Sequence, residues 1–157
     1  MTGPWGSSQL HSRVHVAIRE MGIESGVWEM TSETRRIQVS GSSVKHWADL
    51  TYSTTRPWRL TATFDDGTLL KAEQLDLFEC LRAVRCALDE EGALLCCEGA
   101  RRDVFPSGMA RQMGGGRKAY RISTNRILVD IFAPTDCNEV CTVDEQAESV
   151  ERLLRRG

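Results

Sequence analysis

The strongest restriction on the fold comes from a hairpin pattern between residues 58 and 72. Its first half alternates polar and apolar side chains, with the apolar ones at Trp58, Leu60, Ala62 and Phe64. A period of two is expected of a strand with one buried face. The run Asp65-Asp66-Gly67 follows, and Asp-Gly tolerates the positive backbone angles of a tight turn before a second strand at residues 68–72. These residues predict an antiparallel sheet.

Upstream stretches at residues 27–30, 35–40 and 46–52 repeat the strand pattern, so this half of the chain is predicted to form an antiparallel meander. Residues 10–21 fit two elements. Val14, Val16 and Ile18 alternate as in a strand, whereas a helical stripe is formed by Leu10, Val14, Ala17, Ile18 and Met21. The stripe ends before Gly22, and we favour the helix.

Residues 75–91 carry the clearest helical pattern in the chain. Their apolar side chains recur on one stripe, at Leu77, Phe78, Leu81, Val84 and Leu88. Polar residues, Arg82 among them, lie largely off that stripe, and Gly92 is a candidate C-cap. The next run, residues 93–97, is apolar throughout, which predicts a strand covered on both faces in the interior of the sheet.

Two further strands are predicted at residues 119–122 and 127–132. The run Thr142-Val143-Asp144-Glu145 has the form of a capping box, which opens a C-terminal helix over residues 143–155. The expected fold class is therefore α+β. We expect a single domain with an antiparallel or mixed sheet, the main helix at residues 75–91 on one face, and the C-terminal helix at 143–155.

The length of 157 residues suits one domain with its own hydrophobic core, which we assign to residues 13–157. Residues 1–12 lack the basic start and apolar middle of a secretory signal and are expected to form a flexible leader. No apolar run approaches the roughly 20 residues that cross a bilayer. A cytoplasmic protein that does not enter membranes is the expectation.

Six cysteines lie in the second half of the chain, at positions 80, 86, 96, 97, 137 and 141. A domain of this size needs no disulfide to fold, and Cys96 and Cys97 lie in an apolar run, so reduced and mostly buried thiols are expected. Cys137 and Cys141 form a C-x3-C pair, but no second pair stands at metal-ligand spacing. Neither a metal nor another cofactor is expected.

The net charge of −2 argues against coating of nucleic acid, yet the charges are unevenly distributed. The basic segment, residues 98–126, has seven cations and two acids, giving +5. The acidic segment, residues 136–151, has six acids and no cation, giving −6. Their opposite charges are the main electrostatic feature of the sequence.

Residues 98–120 could form an anion site. Ser107 is placed to cap a short helix ending near Met113, Gly108 allows close approach, and Gly114-Gly115-Gly116 adds a flexible cationic turn. The spacing is not that of a phosphate loop, because Lys118 is followed by Ala119. A surface loop whose arginines serve solubility, or pair with the acidic segment, is the alternative. An anion site should direct Arg101, Arg111 and Arg117 into one cleft.

The same residues carry a resemblance. The run from Phe78 to Tyr120, and above all Cys96-x-Glu98-Gly-Ala-Arg-Arg-Asp-Val-x-Pro106-Ser-Gly-Met-x-Arg-Gln-Met-Gly-Gly-Gly-x-Lys-Ala-Tyr, resembles a group of small bacterial proteins. Some of these are immunity proteins of polymorphic-toxin loci. The resemblance covers a third to a half of the chain and brings no catalytic residues with it. It implies a cytoplasmic one-domain inhibitor that binds a cognate protein toxin and occludes its active site.

The expected function is therefore immunity-type binding without enzymatic activity. The alternative is a nucleotide- or phosphate-ligand-binding domain, conceivably an enzyme, that uses residues 98–120. A basic toxin cleft would take the acidic segment, and catalytic carboxylates would take the arginines. The residues expected to bind a partner or an anion are Arg101, Arg102, Ser107, Gly108, Arg111, Arg117 and Lys118 in the basic segment and Asp136, Glu139, Asp144, Glu145 and Glu148 in the acidic segment.

Overall fold

The computed structural model describes the backbone of residues 14–18 and the whole of residues 32–123 and 125–156. Five strands from the first half of the chain and one from the second form a six-stranded antiparallel sheet, in the order β1-β5-β4-β3-β2-β6. Its strands are β1 Val14–Ile18, β2 Ser32–Ser40, β3 Trp47–Ser53, β4 Arg59–Phe64, β5 Thr68–Glu73 and β6 Leu94–Leu95. β2 to β5 are hydrogen-bonded in sequence order, which confirms the predicted meander.

The hairpin of β4 and β5 forms as its alternation predicts. Leu60, Ala62 and Phe64 are buried, and the Gly67 amide donates to the Phe64 carbonyl over 3.0 Å. Gly67 has a φ of 94°, in the left-handed region that the Asp-Gly turn was expected to need. The apolar face of this hairpin therefore forms one wall of the core.

The preference for a helix over residues 10–21 is wrong for the part that the structure describes. Val14–Ile18 is a strand that pairs with β5, with Val14 opposite Ala72 and Ile18 opposite Thr68. Val14, Val16 and Ile18 are β-branched, which suits a strand, and pairing with the edge of β5 supplies hydrogen-bond partners for the backbone of β1. The predicted leader and the strand predicted at residues 27–30 lie outside the described residues.

The predicted main helix is α1, Leu77–Asp89, packed on one face of the sheet. The Asp76 side chain caps it by accepting from the Glu79 amide over 2.8 Å, and Gly92, with a φ of 78°, turns the chain after it. Arg82 departs from the predicted pattern, since it is 2% exposed and its guanidinium carbon lies 5.4 Å from the centre of the Phe78 ring.

The apolar run at residues 93–97 does not form an interior strand. β6 is only two residues long and pairs with β2 alone, so it lies at the edge of the sheet in hydrogen-bonding terms. It is nonetheless covered, because the Thr135 amide donates to the Cys96 carbonyl and Cys97 bridges to Pro134. Burial by a returning loop thus explains the apolar composition.

The second half adds a small antiparallel sheet and two helices. The sheet has the order β7-β8-β9, with β7 Val104–Phe105, β8 Lys118–Arg121 and β9 Ile127–Asp130. The helices are α2, Gly108–Gly114, and α3, Val143–Arg156. Thr142 and Glu145 exchange the two hydrogen bonds of a capping box at the start of α3, as predicted. The fold is α+β, as expected.

The expectation of reduced cysteines is wrong for one pair, because Cys96 and Cys137 form a disulfide. They are 41 residues apart in the sequence, and the loop that covers β6 brings them together. Cys80, Cys97 and Cys141 are buried free thiols, as expected. Among the described residues, none of the helices has the length and apolar composition that crossing a bilayer requires.

Candidate functional site

Arg111 lies on α2 and faces the start of α1. Its Nη1 lies 3.0 Å from Asp76 Oδ2 and 3.0 Å from Glu79 Oε2. Its guanidinium carbon is also 5.3 Å from the ring centres of Phe78 and Phe105, a distance at which the cation and the rings attract. Arg111 therefore joins α2 to the N-terminal end of α1.

Arg101 and Arg121 bind two buried carboxylates. Arg101 makes paired hydrogen bonds to Asp103, and Arg121 makes paired hydrogen bonds to Glu98, the shortest being 2.6 Å. The hydrogen bonds from Arg101 and from the Ser123 hydroxyl outweigh burial and lower the pKa of Asp103. These arginines therefore compensate the negative charge of two buried carboxylates.

Arg117 joins the two sheets. Its guanidinium donates to Asp130 on β9 over 3.0 Å and to Glu33 on β2 over 2.8 Å. It also lies 5.0 Å above the ring of Tyr52, which is itself stacked on Phe132. Burial raises the pKa of the Tyr52 hydroxyl. Asp130 therefore accepts from Arg117 at the junction of the sheets.

The structure therefore does not bring Arg101, Arg111 and Arg117 into one cleft. Each binds carboxylates of a different part of the molecule, and an anionic ligand would have to displace them. Ser107 caps α2 by accepting from the Ala110 amide, and Gly108 opens that helix in an exposed position. Arg102 and Lys118 are exposed, and Arg102 donates to the Asn138 carbonyl.

The glycine triplet, Gly114-Gly115-Gly116, ends α2 in a left-handed turn that leaves no room for a side chain at Gly115. Gly115 and Gly116 are buried with φ angles of 67° and 75°, and the Gly115 carbonyl accepts from the Leu77 amide over 2.6 Å. A Cβ on Gly115 would lie 2.5 Å from the Trp58 ring, whereas one on Gly114 would meet nothing within 4 Å. Gly115 and Gly116 are thus held by packing, in contrast to the flexible turn that was expected.

The acidic segment is largely exposed. Asp136, Asp144, Glu145, Glu148 and Glu151 all lie at the surface. Within the described residues its ion pairs are two long ones: Glu139 lies 3.8 Å from Arg101, and Glu151 lies 3.7 Å from Arg155. Only the contact between Glu139 and Arg101 joins the acidic segment to the basic segment, which was the pairing predicted as an alternative.

A buried polar pair beneath these surfaces has no counterpart in the sequence predictions. Arg85 of α1 and Gln146 of α3 are 3% and 2% exposed, and Arg85 Nη1 donates to Gln146 Oε1 over 2.7 Å. Arg85 also donates to the carbonyls of Gly99 and Cys141. Burial lowers the pKa of Arg85. The sequence does contain one sign that Arg85 is buried, because Arg85 falls within the apolar stripe of the predicted helix.

The described residues offer little for nucleophilic or metal chemistry. Burial raises the pKa of the Cys80 and Cys97 thiols to about 12, which suppresses the thiolate, and Cys96 is bonded to Cys137. Cys137 therefore does not supply a thiolate beside Cys141. Across residues 32–123 and 125–156, no three His, Cys, Asp or Glu side chains are grouped so that they could hold a metal ion.

Comparison with known proteins adds no relative: no protein-family model matches the chain, and no curated protein matches its sequence.

Proposed function

We propose that this chain is an immunity-type binding protein that uses the exposed acidic face of α3 to occlude a basic cleft of a cognate toxin. The observation that carries the proposal is the different fate of the two charged segments. Arg101, Arg111, Arg117 and Arg121 are paired with carboxylates of the same molecule, while most of the acids at residues 136–151 remain exposed. Three cations of the basic segment, Arg102, Lys118 and Arg126, are exposed as well, but the five exposed acids of the acidic segment are the larger set of charges available to a partner.

The geometry of α3 separates this charge from the core. Val143, Gln146, Ser149 and Val150 are buried against the rest of the protein. Asp144, Glu148 and Glu151 follow at i, i+4 and i+7, a spacing that puts side chains on one helical face. Glu145 is adjacent but accepts from the Thr142 amide, so part of its role is to cap the helix. The three residues of the exposed face are the proposed contact.

Charge complementarity of this kind acts mainly on the rate of encounter, since the attraction is felt before contact is made. The proposed partner is a secreted enzyme with a basic active-site cleft. Neither a catalytic step nor a cofactor of this chain is part of the proposal. Resemblance of residues 78–120 to immunity proteins and the charge of α3 are its supports.

Charge reversal on α3 tests the proposal. The double variant Asp144→Lys with Glu148→Lys should slow association with the toxin encoded beside this chain's gene by about tenfold or more at low ionic strength. Association is measured by stopped-flow fluorescence across a salt series. Added salt should slow wild-type association and should affect the double variant much less, because salt screens the charges that steer it.

The matched control lies on the sheet. Asp49→Lys with Glu73→Lys changes the same number of charges in the same sense, at two solvent-accessible acids of β3 and β5 that belong to neither charged segment. These changes should leave the association rate within about threefold of wild type. If the double lysine variant of α3 associates at the wild-type rate while remaining folded, α3 is not the contact. If the wild-type chain leaves the toxin fully active, the immunity function is wrong.

We further propose that the protein acts in the cytoplasm, where it would protect the cell that makes the toxin. The Cys96–Cys137 disulfide makes this testable, because cytosolic disulfides are rare. Whole cells are quenched in acid, alkylated under denaturing conditions and the protein is analysed by mass. Because the cytoplasm keeps thiols reduced, this bond should be open in the cell even though the folded protein brings Cys96 and Cys137 close enough to form it. Both cysteines should then carry the label, and a pair still bonded would contradict the location.

A further inference from the structure

We propose a second binding site, at the opposite end of α1 from the acidic face, that takes a small carboxylic acid with an apolar body. An open cavity of about 530 Å³ is lined there by Arg56, Pro57, Trp58, Gln74 and Leu75. This volume is within the range of roughly 300 to 1,000 Å³ typical of small-molecule sites. The site lies at the junction of β4 with the chain that enters α1.

The framework of the cavity is held by the fold. The Gln74 amide donates to the Trp58 carbonyl, and the Cys80 thiol donates to the same oxygen over 3.3 Å. The Ser53 hydroxyl donates to the Pro57 carbonyl and accepts from the Arg59 amide, each over 3.0 Å. Gly115 packs against the indole of Trp58. Trp58 is therefore supported on one side and presents the other to the cavity.

Two polar side chains, Gln74 and Arg56, line the cavity. Gln74 Nε2 is buried and has no hydrogen-bond partner, an arrangement that costs about 1 to 3 kcal/mol when it stays unsatisfied. Arg56 is exposed at the edge of the cavity, and no carboxylate of the described residues lies within 4 Å of its guanidinium. Arg56 is thus a cationic donor at the edge of an unfilled space, and it calls for a ligand with acceptor oxygens and negative charge.

The remaining walls are apolar. Leu75 is 90% exposed, the most exposed large hydrophobic side chain among the described residues, and Trp58 is only half-buried. Apolar surface of this kind is stabilised when a ligand removes it from water. An aryl or branched alkyl group would cover Leu75 and Trp58 while its carboxylate meets Arg56.

This site is distinct from the proposed toxin contact. Gln74 precedes α1, whereas the Val143 amide of α3 donates to Asp89 at the other end of that helix. The length of α1, from Leu77 to Asp89, separates the two by about 18 Å. Failure at one site therefore leaves the other untouched.

The test is a titration of the ¹⁵N-labelled protein with 3-phenylpropionate and with indole-3-acetate, each compared with its primary amide. The indole resonance of Trp58, assigned with a Trp58→Phe variant, should shift with a dissociation constant of about 1 mM or below. The acids should bind about tenfold more tightly than the amides, because only the acids bring a charge to Arg56.

Two variants separate recognition from mere packing. Arg56→Ala should reduce the preference for acid over amide to below about threefold, while Arg152→Ala, an exposed arginine on α3, should preserve it. Gln74→Leu should raise the melting temperature, since it removes a buried unpaired donor, and should leave the preference for acid over amide unchanged, because that donor is closed off from the cavity. Equal binding of acid and amide by the wild-type protein, or no shift of Trp58 at about 10 mM ligand, would overturn the proposal.

Discussion

At the scale of single residues, Arg85 shows how a buried charge organises the junction between two helices. It has no carboxylate within 4 Å among the described residues, and its guanidinium is satisfied by two carbonyls and the amide oxygen of Gln146. Gln146 Nε2 in turn donates to the carbonyls of Gly99, Arg101 and Val104. The pair thus satisfies the irregular backbone of residues 98–104, which carries the basic segment.

Gln146→Glu tests whether Gln146 is needed as a donor. The substitution gives Arg85 an acidic partner but replaces an amide donor with oxygen beside three carbonyls. We expect the free energy of unfolding to fall by about 2 kcal/mol, because the lost donor outweighs the added pair. Urea denaturation at neutral pH measures it. A stability equal to or above that of wild type would contradict this account.

The coupling within the pair is a separate prediction. Arg85→Ala and Gln146→Ala should each cost about 3 kcal/mol, since each leaves buried groups unpaired. Together they should cost less than the sum by about 1 to 3 kcal/mol, because the second change removes a partner that is already lost. Strict additivity in a double-mutant cycle would show that the 2.7 Å contact is not energetically important.

Asp89 makes the free energy of unfolding depend on pH. Burial raises the pKa of its carboxyl, although the Val143 amide donates to Oδ2, and Oδ1 is buried without a partner. The folded state binds the proton of Asp89 more tightly than the unfolded chain does. The stability that this proton binding contributes is therefore fully present below the unfolded pKa of about 3.9 and is lost as pH rises through the folded pKa.

Asp89→Asn should therefore increase the free energy of unfolding by about 1 kcal/mol at pH 7, since the amide oxygen can still accept from Val143 while no charge is buried. The gain over wild type should shrink as pH falls toward 4. Thermal unfolding across this pH range measures both proteins. A gain that grows on acidification would show that Asp89 is stabilised as a carboxylate.

At the scale of elements, α2 is too short to be stable by itself and depends on its ends. Ser107 caps its start, Gly115 ends it, and Arg111 holds it against α1. The residues that looked like an anion site therefore build and attach this helix.

Two neighbouring glycines give a matched test of that role. Gly115→Ala should cost about 2 kcal/mol or more, because it combines a φ of 67° with a Cβ placed 2.5 Å from the Trp58 ring. Gly114→Ala should be neutral or slightly stabilising, because Gly114 is helical and its Cβ meets nothing within 4 Å. The melting temperatures of the two variants, each compared with wild type, measure these effects. Equal effects at the two positions would mean that the triplet is a loose turn.

Local patterns predicted the elements whose boundaries are set locally. The Asp-Gly hairpin, the stripe of α1 and the capping box of α3 follow from side chains within a few residues of one another. β1 was misassigned because five residues fit both periods and only pairing with β5 decides between them. Arg82 was misplaced because a long cationic side chain can be buried over a ring that sequence spacing does not reveal.

At the scale of the whole molecule, the disulfide closes a loop that contains the basic segment. In the chain-entropy treatment, a link across 41 residues is worth about 4 kcal/mol. Cys137→Ser should lower the stability of the oxidised protein by about this amount, and wild type and variant should be nearly equal with reductant present. Urea denaturation under both conditions measures the difference.

A cysteine outside the disulfide provides the control. Cys86 is free and partly buried, so Cys86→Ser should have a much smaller effect that is the same with and without reductant. A loss for Cys137→Ser that persists unchanged in reductant would show that packing of the side chain, not the cross-link, is responsible.

The amino-acid sequence by itself determined the α+β class, the meander, both long helices and the existence of two oppositely charged segments, because these depend on periodicity, turns and composition within short windows. Only the tertiary structure decided which charges remain available. Arg117 meets Glu33 across 84 residues and Cys96 meets Cys137 across 41. Coulomb attraction and bond formation depend on distance in space, which a count along the chain does not contain.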